Sequence, residues 1–302
     1  MSSPYAIGID LGATRVKAVV VTPSGDLLAD ARFDTGDAEA AWRERIKRFV
    51  TGIESERGDA KWIGIAAPGL AARDGRTIAW MQGRLAEVHG FDWTAHLARR
   101  RIVPVLNDAH AALLGELWQG AAAGAQNAVL LTLGTGVGGA IVCDGRLLRG
   151  HLGRAGHLGH LSLDPNGPPD IVNTPGSLED AIGDHAVHAR TGGRFASTSA
   201  LVAAYLAGDA DASRVWLGSV KALAAAVASI INAVDPEIFL IGGGIAQAGP
   251  ALFDPLNRFL DDYEWRPTGA RVRIVPAALG DHAGSLGAAR HAMQFDGRKE
   301  GE

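Results

Sequence analysis

The chain has 302 residues, 40 of them glycine, 13 proline and one cysteine, with 47% apolar and 21% charged residues, enough apolar mass for one large domain or two of ordinary size. A single cysteine excludes an intrachain disulfide framework and a multi-cysteine zinc or iron–sulfur site. The net charge of −4 gives no support for a nucleic-acid surface, and no apolar run approaches the roughly 18–20 residues of a membrane span.

The start, Met1-Ser2-Ser3-Pro4-Tyr5, lacks the positive flank and apolar stretch of a signal peptide, so a cytoplasmic protein is expected. Residues 5–10 and 16–22 are apolar and β-branched and predict an opening hairpin across Leu11-Gly12-Ala13-Thr14-Arg15. A short strand follows the Pro23-Ser24-Gly25-Asp26 turn. Trp42, Ile46, Phe49 and Val50 then share a face of a helix predicted from residue 38 to about 54. Strands are predicted at 61–67, ending in Pro68-Gly69, and at 102–106, ending in Asn107-Asp108 before a helix over 109–118.

The second half starts the same way. Strands at 128–133 and 138–143 flank Gly134-Thr135-Gly136-Val137, and the Asp144-Gly145 turn leads to a third strand near 146–149. A strand, a Gly/Thr loop and a strand thus occur twice, which indicates an internal duplication. Residues 151–180 form a polar, Gly/Pro-rich stretch too long for a simple connector. An Ala-rich helix over 213–234, a strand at 237–241 ending in Gly242-Gly243-Gly244, a strand at 271–275, a helix at 285–293 and a charged, disordered tail from 296 complete the reading.

The loop Asp10-Leu11-Gly12-Ala13-Thr14-Arg15-Val16-Lys17 reads either as an ordinary tight hairpin or as an anion cradle. In the second case glycine admits backbone N–H groups, threonine adds a donor and an acidic residue holds hydrated Mg²⁺. Thr132-Leu133-Gly134-Thr135-Gly136-Val137-Gly138-Gly139 is the same device with more glycines. It is neither a Walker loop, lacking Gly-Lys-Ser/Thr, nor a dinucleotide fingerprint, since a strand follows. Two such loops suggest a clamp on a polyphosphate. Gly242-Gly243-Gly244 reads as a flat surface for adenine or ribose, or as a tight strand-to-helix turn. Asn107-Asp108 reads equally as a helix cap or as a general base with an orienting amide, the base accepting a proton from a sugar hydroxyl that attacks a γ-phosphate.

Together these pieces resemble the ROK family (repressors, open reading frames and kinases) of the actin-like ATPase superfamily. The resemblance runs from about residue 5 to 289, with Ala66-Ala67-Pro68-Gly69, Gly156-His157-Leu158-Gly159-His160, Gly176-Ser177-Leu178-Glu179 and Gly284-Ser285-Leu286-Gly287-Ala288 as further pieces. It implies an α/β, two-domain actin-like ATPase (RNase H-like) fold with the active-site cleft between the domains. Residues 1–107 plus 289–302 would form the small N-terminal domain and 108–288 the larger C-terminal one.

The same resemblance implies a kinase, glucokinase-like or N-acetylhexosamine kinase-like, that moves the γ-phosphate of ATP to a hexose hydroxyl, normally O6. Asp108 would be the base and Asp10 would sit near Mg²⁺ through water. Gly12, Thr14, Lys17, Thr132, Gly134, Thr135, Gly136, Gly242, Gly243 and Gly244 would hold the nucleotide. Gly69, Asn107, Asp108, His157, His160 and Glu179 would face the sugar. A homodimer follows from the family alone. The alternatives are a sugar-binding pseudokinase and a sugar-responsive regulator without a DNA-binding domain.

Two departures stand out. Family kinases place a structural zinc on a histidine and three cysteines, but residues 164–179 here contain no cysteine. No structural zinc is expected, and prolines are expected to stiffen that loop instead. His157 stands where the family has a sugar-binding glutamate. Neutral imidazole donates one hydrogen bond and accepts one, whereas a carboxylate only accepts, so either an altered sugar preference or a weakened kinase activity is expected. A metal site on His151, His157 and His160 finds no completing partner in the sequence. His185 and His188 lie on a predicted helix and read as surface or packing residues.

Overall fold

The first hairpin forms where the two apolar runs predict it: Ala6–Leu11 pairs antiparallel with Arg15–Val21, bringing Asp10 opposite Lys17. The computed structural model describes residues 3–36, 41–83 and 85–295. The expected start of the first helix at residue 38 and the tail from 296 lie outside them. The chain divides into two compact units, Met1–Gly124 with Leu147–Ala155 and Ala278–Glu302, and Ala125–Arg146 with Gly156–Ala277.

In the first unit the sheet order is Leu27–Asp34, Arg15–Val21, Ala6–Leu11, Trp62–Ala67, Val105–Asn107. The first three strands are antiparallel and the last three parallel. One face buries Ile7, Ile9, Val16, Val20 and Ile65 against Trp42, Ile46 and Val50, the i, i+4, i+8 stripe of helix Ala41–Arg57. Ala6, Val19 and Val21, on the other face, cluster with Leu286 and Ala289 of the C-terminal helix Ala283–Gln294. That helix also lies against Asp108–Gln119, so closely that a side chain at Gly287 would collide with the Ala111 carbonyl. A small hairpin, Leu70–Ala71 with Ile78–Trp80, was not expected from the sequence.

The second five-stranded sheet repeats the plan: Arg146–Leu147, Val137–Cys143, Ala128–Leu133, Ile238–Gly242, Arg273–Pro276. Its central strand again pairs antiparallel with the next strand in sequence and parallel with the later one. The duplication inferred from two loops is therefore a duplication of a five-stranded sheet. Asp144 and Gly145 both have positive φ, 49° and 70°, which makes the tight turn they predict. The strand after it is only Arg146–Leu147, shorter than expected.

Helix Ala210–Val234 amends one expectation. Its 25 residues, with an 18-residue stretch of mean hydropathy 1.7, would by length and composition alone allow a membrane crossing. Gly218, Ser219, Lys221 and Ser229 break its apolar residues into short runs. Its Trp216, Val220, Leu223, Val227 and Ile231 are buried with Val129, Leu131, Phe239 and Ile241 of the sheet, while Lys221 and Ser229 are exposed.

The observed units differ from the expected boundaries, since residues 108–124, 147–155 and 278–288 fall with the N-terminal sheet. Buried Glu116 shows why: its carboxylate accepts N–H bonds from Ala278 (3.1 Å) and Leu279 (2.8 Å), tying the C-terminal segment to the Asp108 helix.

Candidate active site

Three parallel strands of the first unit end side by side, and their carboxyl ends carry the residues singled out in the sequence. The register pairs Asp10 with Ala66 and Ala67 with Asn107, so Asp10, Gly69 and Asn107-Asp108 gather at one edge, where open α/β sheets bind ligands. Asn107 is buried and caps helix Asp108–Gln119: its Oδ1 accepts from Ala109 N (3.0 Å) and His110 N (3.2 Å). Its Nδ2 donates to Gly69 O at 3.0 Å. The capping alternative is thus realised by Asn107, while Asp108, in the first turn of the helix, is exposed.

Burial, and then the charge of Asp108, push the Asp10 carboxyl up to about 7 against the pull of Lys17. Lys17 itself bonds Asp281 at 2.8 Å, and Arg32 reaches the other oxygen of Asp281 at 2.8 Å. The Lys17 hydrogen bond holds the Asp281 carboxyl below its ordinary value, with Arg32 adding to it against burial. Asp281 was missed in the sequence because it lies just outside the Gly284–Ala288 piece, and its partners Lys17 and Arg32 are far away along the chain. Asp10, Gly12, Thr14, Arg15, Lys17, Arg32 and Asp281 line an open pocket of about 470 Å³. Thr35 shapes its loop by donating from Oγ1 to Gly12 O at 2.7 Å.

Among the described residues no three His, Cys, Asp or Glu side chains come together as a metal cage. A carboxyl raised by burial and by a second carboxylate, beside an open pocket, fits hydrated Mg²⁺, which uses one or two carboxylates and otherwise keeps water and substrate phosphate oxygens. Asp10 is the residue that would hold it.

In the second unit the register pairs Gly242 with Thr132. Gly243, at φ 84°, lies so close to the Leu133 backbone that a side chain there would clash. The Gly134-Thr135-Gly136 loop and Gly242-Gly243-Gly244 are therefore neighbours at the carboxyl ends of parallel strands. Thr135, Gly243 and Gly244 are exposed. The short turn Gly244–Ala248 precedes helix Pro250–Tyr263.

Glu179, in the first turn of Leu178–Ile182 behind the Ser177 cap, turns its Oε2 to Val137 N at 2.8 Å. His185, expected only as a surface or packing residue, supports the same loop: Nδ1 lies 2.8 Å from Thr135 O and Nε2 2.9 Å from Asp180 Oδ1. Burial pulls its pKa down, but the Thr135 carbonyl and Asp180 outweigh this and raise it. His157 precedes the turn Leu158–His160 and is partly buried. His160 is held through Nδ1 by Asp170 at 2.8 Å, a partner that no local spacing announced.

The sequence pattern of the ROK family matches residues 6–294. The chain is 34% identical to the glucokinase of Thermotoga maritima, covering 94% of this chain and 95% of that protein. It is similar in structure to the ROK hexokinase of Thermus thermophilus, with a TM-score of 0.82, 30% identity and coverage of 96% of this chain and 98% of that one. It is likewise similar to a ROK glucokinase of Streptomyces griseus solved in complex with glucose and AMPPNP, with a TM-score of 0.76, 27% identity and coverage of 96% and 100%. The α/β, two-unit architecture is the actin-like ATPase fold that the sequence led us to expect, and the chain belongs to the ROK family.

Proposed function

We propose that this chain is an ATP-dependent hexose kinase that transfers the γ-phosphate of ATP to a sugar hydroxyl, O6 by preference. The observation that carries the reading is the pairing of an exposed Asp108 with Asp10, whose carboxyl is raised to about 7, at the carboxyl edge of three parallel strands. One carboxylate is placed to accept a proton, the other to meet a cation. The relatives named glucokinase and hexokinase support the same chemistry.

In this reading Asp108 accepts the proton of the attacking hydroxyl, a contribution of about 10²–10⁴ in rate, while Asn107 and Gly69 set its position. Gly12, Thr14, Lys17, Thr132, Gly134, Thr135 and Gly136 bind phosphate oxygens. Gly242, Gly243 and Gly244 lie against the nucleoside. Gly69, Asn107, His157, His160 and Glu179 recognise the sugar. Bound Mg²⁺ supplies positive charge to the phosphates. ATP as donor puts the reaction in the cytoplasm, with neither nucleic acid nor membrane as partner, and the chain acts as a homodimer.

The test is ADP release measured across glucose, mannose, fructose, N-acetylglucosamine and N-acetylmannosamine. ATP-dependent phosphorylation of at least one is expected, and silence with all of them overturns the reading. Calorimetric sugar binding without ADP release would instead support a pseudokinase. His157→Glu is expected to shift the order of preferred sugars, and an unchanged order and rate removes the specificity role of His157.

A further inference from the structure

We propose that Asp170 is a positioning residue: it fixes His160 in the tautomer with the proton on Nδ1, so that Nε2 is a hydrogen-bond acceptor for a sugar hydroxyl, and it ties the 164–176 loop to that ring. The sugar part of this rests on the hexose kinase reading; the tautomer part does not.

An ionised carboxylate only accepts hydrogen bonds, so the 2.8 Å contact between Asp170 Oδ2 and His160 Nδ1 requires the ring proton on Nδ1. The Asp170 side chain is fully buried, and its other oxygen accepts from Val172 N (2.9 Å) and Thr174 N (2.8 Å). Its backbone takes part as well, with Asp170 N bonding Thr174 O and Asn173 N bonding Asp170 O, each at 2.9 Å. Burial alone would favour the neutral acid. The His160 bond and the two N–H groups outweigh it and hold the carboxyl below its ordinary value. The charge is therefore kept, and its partners are specified.

The His160 ring is 30% exposed, and Nε2 makes no hydrogen bond among the described residues. The ring thus has one nitrogen committed to the protein and one available. Around Asp170 the loop is closed by Ser162 Oγ to Pro175 O (2.7 Å) and Gly176 N to Pro168 O (2.8 Å). A segment without cysteine is in this way cross-linked to His160 by one carboxylate.

Asp170→Asn separates the two roles. The amide oxygen still accepts from Val172 and Thr174, but the amide NH₂ now faces Nδ1 and donates to it, driving the ring proton to Nε2. The sugar-facing nitrogen becomes a donor. In protein labelled with ¹⁵N-histidine, with His160 assigned by its loss in His160→Gln, the wild type is expected to show the Nδ1–H tautomer and Asp170→Asn the Nε2–H tautomer. Sugar KM should rise about tenfold, with ATP KM unchanged and kcat within about threefold. Asp170→Ala should also lower Tm, because the loop loses its acceptor. A wild-type Nε2–H tautomer, or a switched tautomer in Asp170→Asn with unchanged sugar KM, overturns the proposal. If the wild type phosphorylates no sugar, the kinase reading fails, while the ¹⁵N comparison still decides whether Asp170 sets the tautomer.

Discussion

Glu179 and Val137 are joined by a 2.8 Å hydrogen bond from the Val137 N–H to Glu179 Oε2, and Gly136 lies so close to that carboxylate that a side chain there would displace it. A residue assigned to the sugar therefore also braces a loop assigned to phosphate. Glu179→Ala is expected to raise the KM of both ATP and sugar and to lower kcat/KM about 10- to 100-fold. Glu179→Gln, which keeps one acceptor, should be milder. A rise in sugar KM alone would show that the brace does not matter.

Asp10 carries a pH signature. Its value in the folded protein, about 7, lies above the ordinary 3.8, so the folded state retains a proton that the unfolded state has released. The stability from this group is present below about pH 3.8 and is lost as pH rises through 7. Asp10→Asn removes that loss. Its Tm at pH 8 without Mg²⁺ should exceed the wild type by roughly 2–4 °C, with turnover abolished. No gain at pH 8 would contradict the raised carboxyl.

His185 gives a smaller effect of related sign. Its pKa is raised above 6.5, so its contribution is complete below about pH 6.5 and fades as pH rises through the raised value. Its side chain is 39% exposed, which limits the effect to about 0.5 kcal/mol. Thermal scans of the wild type and His185→Gln should differ at pH 6 and converge at pH 9. A difference that grows with pH contradicts the assignment.

The close approach of the C-terminal helix depends on having no side chain at residue 287. Gly287→Val should destabilise by about 3 kcal/mol or more, because the obstacle is the Ala111 backbone carbonyl and a backbone cannot swing aside. A Tm within 1–2 °C of wild type would show that the helices separate freely.

What was legible in the sequence was local. The hairpin Ala6–Leu11 with Arg15–Val21 follows from β-branched runs around a glycine turn, and Asn107 marks a strand-to-helix junction because Asn caps helices. What was not legible depends on distant pairing. Glu116 claims Ala278 and Leu279, Asp281 claims Lys17, and Asp170 claims His160. Each is a carboxylate whose donors are fixed only once the chain has folded. The helix Ala210–Val234 was expected from residue 213, but Gly218, Ser219, Lys221 and Ser229 interrupt its apolar residues, so no continuous run marked its membrane-compatible length.

In the proposed reaction Asp108 takes the proton from a hexose hydroxyl as ATP is cleaved. The most direct test is Asp108→Asn in the ADP-release assay with the best sugar of the panel, alongside calorimetric sugar binding. A fall in kcat of about 10²–10⁴ is expected, with the sugar Kd changed less than about threefold. Normal turnover in Asp108→Asn would contradict it.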